Sequence, residues 1–131
     1  MTIEVELHLR IVSEANKRGH WAKGARRASE QRGIARLALA PRVHRTRAVL
    51  ALECSVCGEQ LAVTLTRVAP RELDGDNLHR ALKAVRDGIA DALGIDDRDK
   101  RIAWRYGQQR GAPLQYAVRV VLEAVESQKH G

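Results

Sequence analysis

The stretch that decides the fold is DGDNLHRALKAVRDGIADALGIDD, residues 74–97. Leu78, Leu82, Val85, Ile89 and Leu93 recur at intervals of three and four, which is the spacing of one helix face. Asp74 and Asp76 suit a helix N-terminus, and Gly94 suits a helix end. The pattern predicts an amphipathic helix of about 18 residues, near 27 Å long at 1.5 Å rise per residue. Asp96 and Asp97 follow it directly. Two pairs of acids therefore bracket one straight helix. They meet only if the helix ends early or the chain after Gly94 runs back along the sheet.

Outward from this helix the period changes from 3.6 to 2. Downstream, Ile102, Trp104 and Tyr106 alternate with Ala103 and Arg105, predicting a strand. Gly107 to Pro113 reads as a loop, and Tyr116 to Val125 as a last strand. Upstream, Ala48 to Glu53 and Leu61 to Val68 are β-prone runs joined by a short Gly-containing connection, the pattern of a hairpin that ends near Pro70. Ser13 to Gly24 is polar and reads as a loop. Ala25 to Ala40 reads as a helix with Ala28, Ile34, Leu37 and Ala38 on one side, closed by Pro41. Thr2 to Val12 alternates throughout, with Ile3, Val5, Leu7, Leu9 and Ile11 pointing one way, as in a half-buried strand. The expected order is β-α-β-β-α-β-β. That is an α+β fold with two helices on one mostly antiparallel or mixed sheet of about five strands. The 131 residues are expected to form a single domain.

Charge is uneven along the chain. The net charge is +7. Residues 1–47 hold 11 Lys or Arg against 4 acids, while residues 72–99 hold 8 acids against 4 bases. The basic end suits a polyanion such as nucleic acid. The acidic island repels phosphate unless a cation lies between. Mg²⁺ fits such a role, because it takes one or two carboxylates and keeps waters and phosphate oxygens. For Asp74 and Asp76 the competing role is helix capping, and for Asp96, Asp97 and Asp99 a polar turn. Arg80 and Lys83 succeed Asp76 at one-turn intervals and are placed to hold a phosphate or, for Arg80, to pair with Asp76.

The combination of strand, Asp74-Gly75-Asp76-Asn77-Leu78, amphipathic helix, Ile95-Asp96-Asp97 and strand resembles the RusA-type Holliday junction resolvases, small endonucleases of bacteria and their prophages. The resemblance covers about Ala48 to Val125 and is only topological over residues 1–47. It implies a Mg²⁺-dependent endodeoxyribonuclease, with Mn²⁺ as a substitute ion, that resolves four-way DNA junctions in recombination and repair as a homodimer. Asp74, Asp76 and Asp97 are then the metal-binding catalytic acids, with Asp96 beside them. Arg80 stands where the family has Lys, a planar fork in place of a compact ammonium, and Lys83 is the nearby substitute.

Lys17, Arg18, Lys23, Arg26, Arg27 and Arg32 form the densest basic stretch and are the expected DNA contacts. A non-catalytic nucleic-acid-binding module using this stretch is the alternative function. Cys54 and Cys57 form half of a structural zinc site. Four ligands would need His or a second subunit, so free thiols are expected instead. The five His are scattered and expected on the surface. No apolar run approaches the roughly 18 residues that span a bilayer, and Met1 to Arg10 carries Glu4 and Glu6 without a signal-peptide core. A cytoplasmic protein without a membrane partner is expected.

Overall fold

A computed structural model describes residues 2–12, 21–42 and 59–126. The elements are β1 (Thr2–Leu7), α1 (Trp21–Leu39) with a short 3-10 turn (Ala40–Arg42), β2 (Glu59–Ala69), α2 (Gly75–Leu93), β3 (Ile102–Arg110) and β4 (Ala117–Glu126). The class is α+β, as expected. The described residues form four strands rather than about five, in the order β1-β4-β2-β3. The first arm of the expected hairpin, Ala48 to Glu53, lies outside the described residues, as do Lys17, Arg18, Cys54 and Cys57.

Two pairings are antiparallel, β1 with β4 and β4 with β2. The third, β2 with β3, is parallel. That pair follows from the helix between them: two sequential strands joined through a long α-helix return in the same direction. The register places Ile3, Leu122, Val63 and Trp104 in one row across the sheet, and Val5, Val120, Leu65 and Tyr106 in the next. This face meets the helices and holds the largest buried side chains. The opposite face carries Thr64, Thr66, and the ion pairs Arg119–Glu4 (3.5 Å) and Arg105–Glu123 (3.9 Å). Leu9 and Ile11 continue the inward alternation of β1 beyond its ladder. The strand predicted to Val12 thus keeps its facing but loses its partner at Leu7.

α2 forms as its sequence prescribes. Leu78, Leu82, Val85, Ile89 and Leu93 are all buried. Full burial of each of the larger ones contributes roughly 1.5–3 kcal/mol. Gly94 adopts φ 70°, and the amides of Gly94 and Ile95 bond back to the carbonyls of Asp91 and Ala90. This is the reversal that needs glycine.

α1 corrects two expectations. It begins at Trp21, not Ala25, so Gly24 lies inside the helix. The surrounding Ala, Lys and Arg are strong helix formers and offset a cost of about 1 kcal/mol for the glycine. Its core face is also not the one read from Ala28, Ile34 and Leu37. Ile34 and Leu37 are exposed, and the buried residues are Gln31, Ala35 and Leu39. The two helices touch almost backbone to backbone. A Cβ on Gly88 of α2 would stand 2.3 Å from the Arg32 carbonyl oxygen and 2.9 Å from the Ala35 Cβ. Such a crossing selects small side chains and leaves the larger ones outside.

β3 also runs to Arg110, through part of the loop expected from Gly107 to Pro113. Parallel pairing with β2 continues to Ala69↔Arg110.

Candidate active-site cleft

One cleft of about 490 Å³ runs along α2. Asp76, His79, Arg80, Lys83 and Arg86 line it from the helix. Their spacings of three and four put them on one stripe beside the buried face. Asp97 and Arg98 close it from the loop after α2, and Tyr106 from β3. One acid of each pair, Asp76 and Asp97, thus lines the same cleft, and the reason is local. After the Gly94 reversal, Ile95 packs on the core and the chain turns back. The Asp96 carboxylate accepts from the Arg98 amide (2.8 Å), and the Asp99 amide donates to the Asp96 carbonyl (3.0 Å). The Asp97 carbonyl then accepts from Arg86 Nη2 (2.9 Å) and from Trp104 Nε1 (2.9 Å). This double hold fixes Asp97 beside Arg86, seven residues or about 10 Å of helical rise before the end of α2.

Arg86 is the hub of this arrangement. Its guanidinium lies 4.8 Å over the Trp104 ring, Nη1 donates to the Tyr106 hydroxyl (2.8 Å), and Nε sits 3.3 Å from Asp97 Oδ2. That Nε is buried and makes no well-aligned hydrogen bond. The Tyr106 ring stacks on His79, with centroids 4.1 Å apart. Asp76 and Arg80, for which an i,i+4 ion pair is the alternative to phosphate binding, form none among the described residues, and both line the cleft. Lys83 is shared with Asp87 at 3.4 Å, a loose exposed pair.

Asp74 is the N-cap residue of α2 but makes no side-chain capping bond. Its Oδ1 accepts from Asn77 Nδ2 at 3.0 Å. It lies outside the residues lining the cleft. Among the described residues, no group of three or more His, Cys, Asp or Glu gathers to hold a metal ion. What the cleft offers is two carboxylates, Asp76 and Asp97. In type these are the oxygen donors that Mg²⁺ takes alongside water and substrate oxygens, and Asp97 is held beside Arg86, ten residues along α2 from Asp76. The Asp96 carboxyl is held below the ordinary carboxylate range, chiefly by the Arg98 amide, and the Asp99 carboxyl by the Arg101 side chain. Both stay charged at neutral pH. Asp99 is spent on Arg101 at 2.7 Å.

Sequence reasoning missed His79, Arg86, Arg98 and Tyr106. The first two fall on the Asp76–Arg80–Lys83 stripe and were within reach of helical arithmetic. Arg98 and Tyr106 enter only through the return of the chain along α2. Trp104 supports Arg86 through its ring and the Asp97 carbonyl through Nε1. Of the described basic residues, Lys23 and Arg26 are exposed on α1. Arg32 is bound in a bidentate pair to Asp91 of α2 (2.5 and 2.8 Å). That arginine links α1 to α2 while its side chain stays about half exposed.

No helix among the described residues is long and apolar enough to cross a membrane. No family model and no curated protein matches the chain. Among solved structures, the chain is similar to a 2C-methyl-D-erythritol-2,4-cyclodiphosphate synthase, at 26% identity over 60% of this chain and 49% of that one, with a TM-score of 0.30. The alignment spans about half of that protein, and a superposition so loose supports no conclusion about fold or site.

Proposed function

We propose that the protein is a Mg²⁺-dependent endonuclease acting on branched DNA, as the RusA-type resolvases do. One observation carries the reading: Asp76, in the first turn of a 19-residue helix, and Asp97, in the loop after it, line a single cleft with four cationic side chains. Carboxylates alone repel phosphate, and cations alone only bind it. Together they suit hydrolysis of a phosphodiester.

Asp76 and Asp97 would hold Mg²⁺, with Asp96 next in the chain and Asp74 one step outside. The ion supplies charge neutralisation at the phosphate and an activated water. Arg80 has no ion-pair partner among the described residues and is placed to bind phosphate, where its fork can engage two oxygens at once. Lys83, released from its loose pair with Asp87, adds a second positive charge. Arg86 touches the carboxylate and carbonyl of Asp97 and so acts as a positioning residue. Homodimerisation, which two symmetrical cuts require, and action in the cytoplasm belong to the same proposal.

Incubation with a synthetic four-way junction and Mg²⁺ tests it. Wild type is expected to nick the junction, and Asp76→Asn to lose at least about 100-fold in rate. No nicking by wild type, or equal nicking by the variant, sinks the proposal. Tight junction binding without cleavage in either Mg²⁺ or Mn²⁺ would favour the second reading, a non-catalytic nucleic-acid-binding module. The hold of Arg86 on Asp97 is the observation that favours it, since that carboxylate already has a cation.

A further inference from the structure

The cleft leaves one charged residue unexplained. Arg67 stands on the inner face of the sheet, in the row Leu7, Val118, Arg67 and Gln108. It is only 5% exposed. A charge removed from water is costly unless it is paired. Arg67 Nε donates to the Ile11 carbonyl (2.9 Å) and Nη1 to the Arg71 carbonyl (2.6 Å). These oxygens satisfy hydrogen bonds but neutralise no charge, and no carboxylate pairs with Arg67 among the described residues. Burial accordingly pushes its pKa below the ordinary arginine value.

Arg67 lines a concavity of about 260 Å³ together with Arg10, Arg71 and Tyr116. The Arg10 guanidinium lies 4.6 Å over the Tyr116 ring. Among the described residues no acidic side chain is part of the lining. Three arginines thus line one concavity, and an anion there would supply the counter-charge that Arg67 lacks among the described residues. Their planar forks match the paired oxygens of a phosphate. Leu73 lines this concavity and Asp76 the cleft, so the two lie within about 10 Å along the chain. Arg67 also holds the carbonyl of Arg71, in the segment that leads into α2.

We propose that the Arg10–Arg67–Arg71 pocket binds a backbone phosphate of the DNA strand that enters the adjoining cleft. The site is a gripping subsite beside the chemistry, and it rests on the nucleic-acid reading above without needing hydrolysis.

Binding of a fluorescent four-way junction, followed by anisotropy in EDTA over a series of salt concentrations, tests it. Arg67→Met strips two buried carbonyls of their donor and endangers the fold. The informative variant is therefore Arg10→Gln/Arg71→Gln, which removes two exposed side chains. It is expected to unfold at the wild-type temperature and to bind roughly tenfold more weakly, with a plot of log K against log salt shallower by about 2. Arg105→Gln/Arg119→Gln removes the same net charge from the other face of the sheet and is the control. Wild-type affinity and slope in the Arg10/Arg71 variant, or an equal loss in the control, overturns the proposal. So does unchanged DNA binding accompanied by stabilisation of wild type, but not the variant, by inorganic phosphate, since the pocket then serves a free oxyanion. Weakened binding in a protein that never cuts the junction with Mg²⁺ would leave the subsite standing and remove the hydrolase reading.

Discussion

The two helices are both 19 residues long and pack on the same sheet, yet they are built on opposite rules. α2 buries a stripe of large aliphatic side chains and turns a stripe of charged ones to the cleft. α1 leaves Ile34 and Leu37 exposed and approaches its neighbour through Ala35 and its own backbone. The lesson lies in what each contact demands. A helix over a sheet needs volume to fill the gap, whereas a helix crossing another at close range needs volume removed.

Glycine substitutions break this comparison most sharply. Replacing glycine by alanine inside a helix ordinarily stabilises by about 1 kcal/mol. At Gly88 of α2 the new Cβ would meet the Arg32 carbonyl, a backbone atom that cannot swing aside. Gly88→Ala is therefore expected to destabilise by about 2–3 kcal/mol, read from urea denaturation. A rise in stability would mean that the helices are not in backbone contact. At Gly33 of α1 a Cβ meets nothing within 4 Å. Gly33→Ala is expected to show the ordinary gain of about 0.5–1 kcal/mol in the same assay.

The smallest effect sharpens the account of how the helices are fastened. Arg32 is about half exposed and Asp91 about one-third, so their pair contributes only about 0.5 kcal/mol after solvent screening. Its hydrogen bond holds the Asp91 carboxyl below the ordinary carboxylate range. The contribution is therefore present above the unfolded value near 4 and is lost as pH falls through the lower folded value. Arg32→Gln should lower the melting temperature slightly at neutral pH, and by less at acid pH as the Asp91 carboxyl becomes protonated. An equal difference at both pH values would show that charge pairing is not the cause.

These contrasts explain what the sequence made legible. The stripe from Leu78 to Leu93 carries its periodicity in large apolar residues, so α2 and its Gly94 end could be read directly. The contact face of α1 consists of Gln31, Ala35 and Leu39, and only Leu39 carries an apolar signal that outweighs Ile34 and Leu37. In the cleft, Asp76, Arg80 and Lys83 follow from helical arithmetic within one element. Asp97 was legible as a residue type at a distance. Its position beside Arg86 was not, because it depends on hydrogen bonds from Trp104 and Arg86 across a turn. In β2, Arg67 occupies the inward slot of the alternation that Leu61, Val63 and Leu65 fill, but its charge argues for solvent, and only the tertiary structure shows it buried. The parallel pairing of β2 and β3 follows from a rule about connections, not from either strand.

The sheet order also governs when the molecule can be completed. Thr2 pairs with Glu123 and Leu7 with Val118, so β1 has no partner until β4 has been made. At a synthesis rate of about 5–20 residues per second, the strand waits on the order of ten seconds on the ribosome. Through that interval Ile3, Val5 and Leu7 alternate with Glu4 and Glu6, which keep a solitary apolar strand from joining others of its kind. The same two acids lie on the solvent-facing side of the finished sheet, where Glu4 pairs with Arg119. One pattern of alternation thus guards the nascent chain first and fixes the edge of the folded one afterwards.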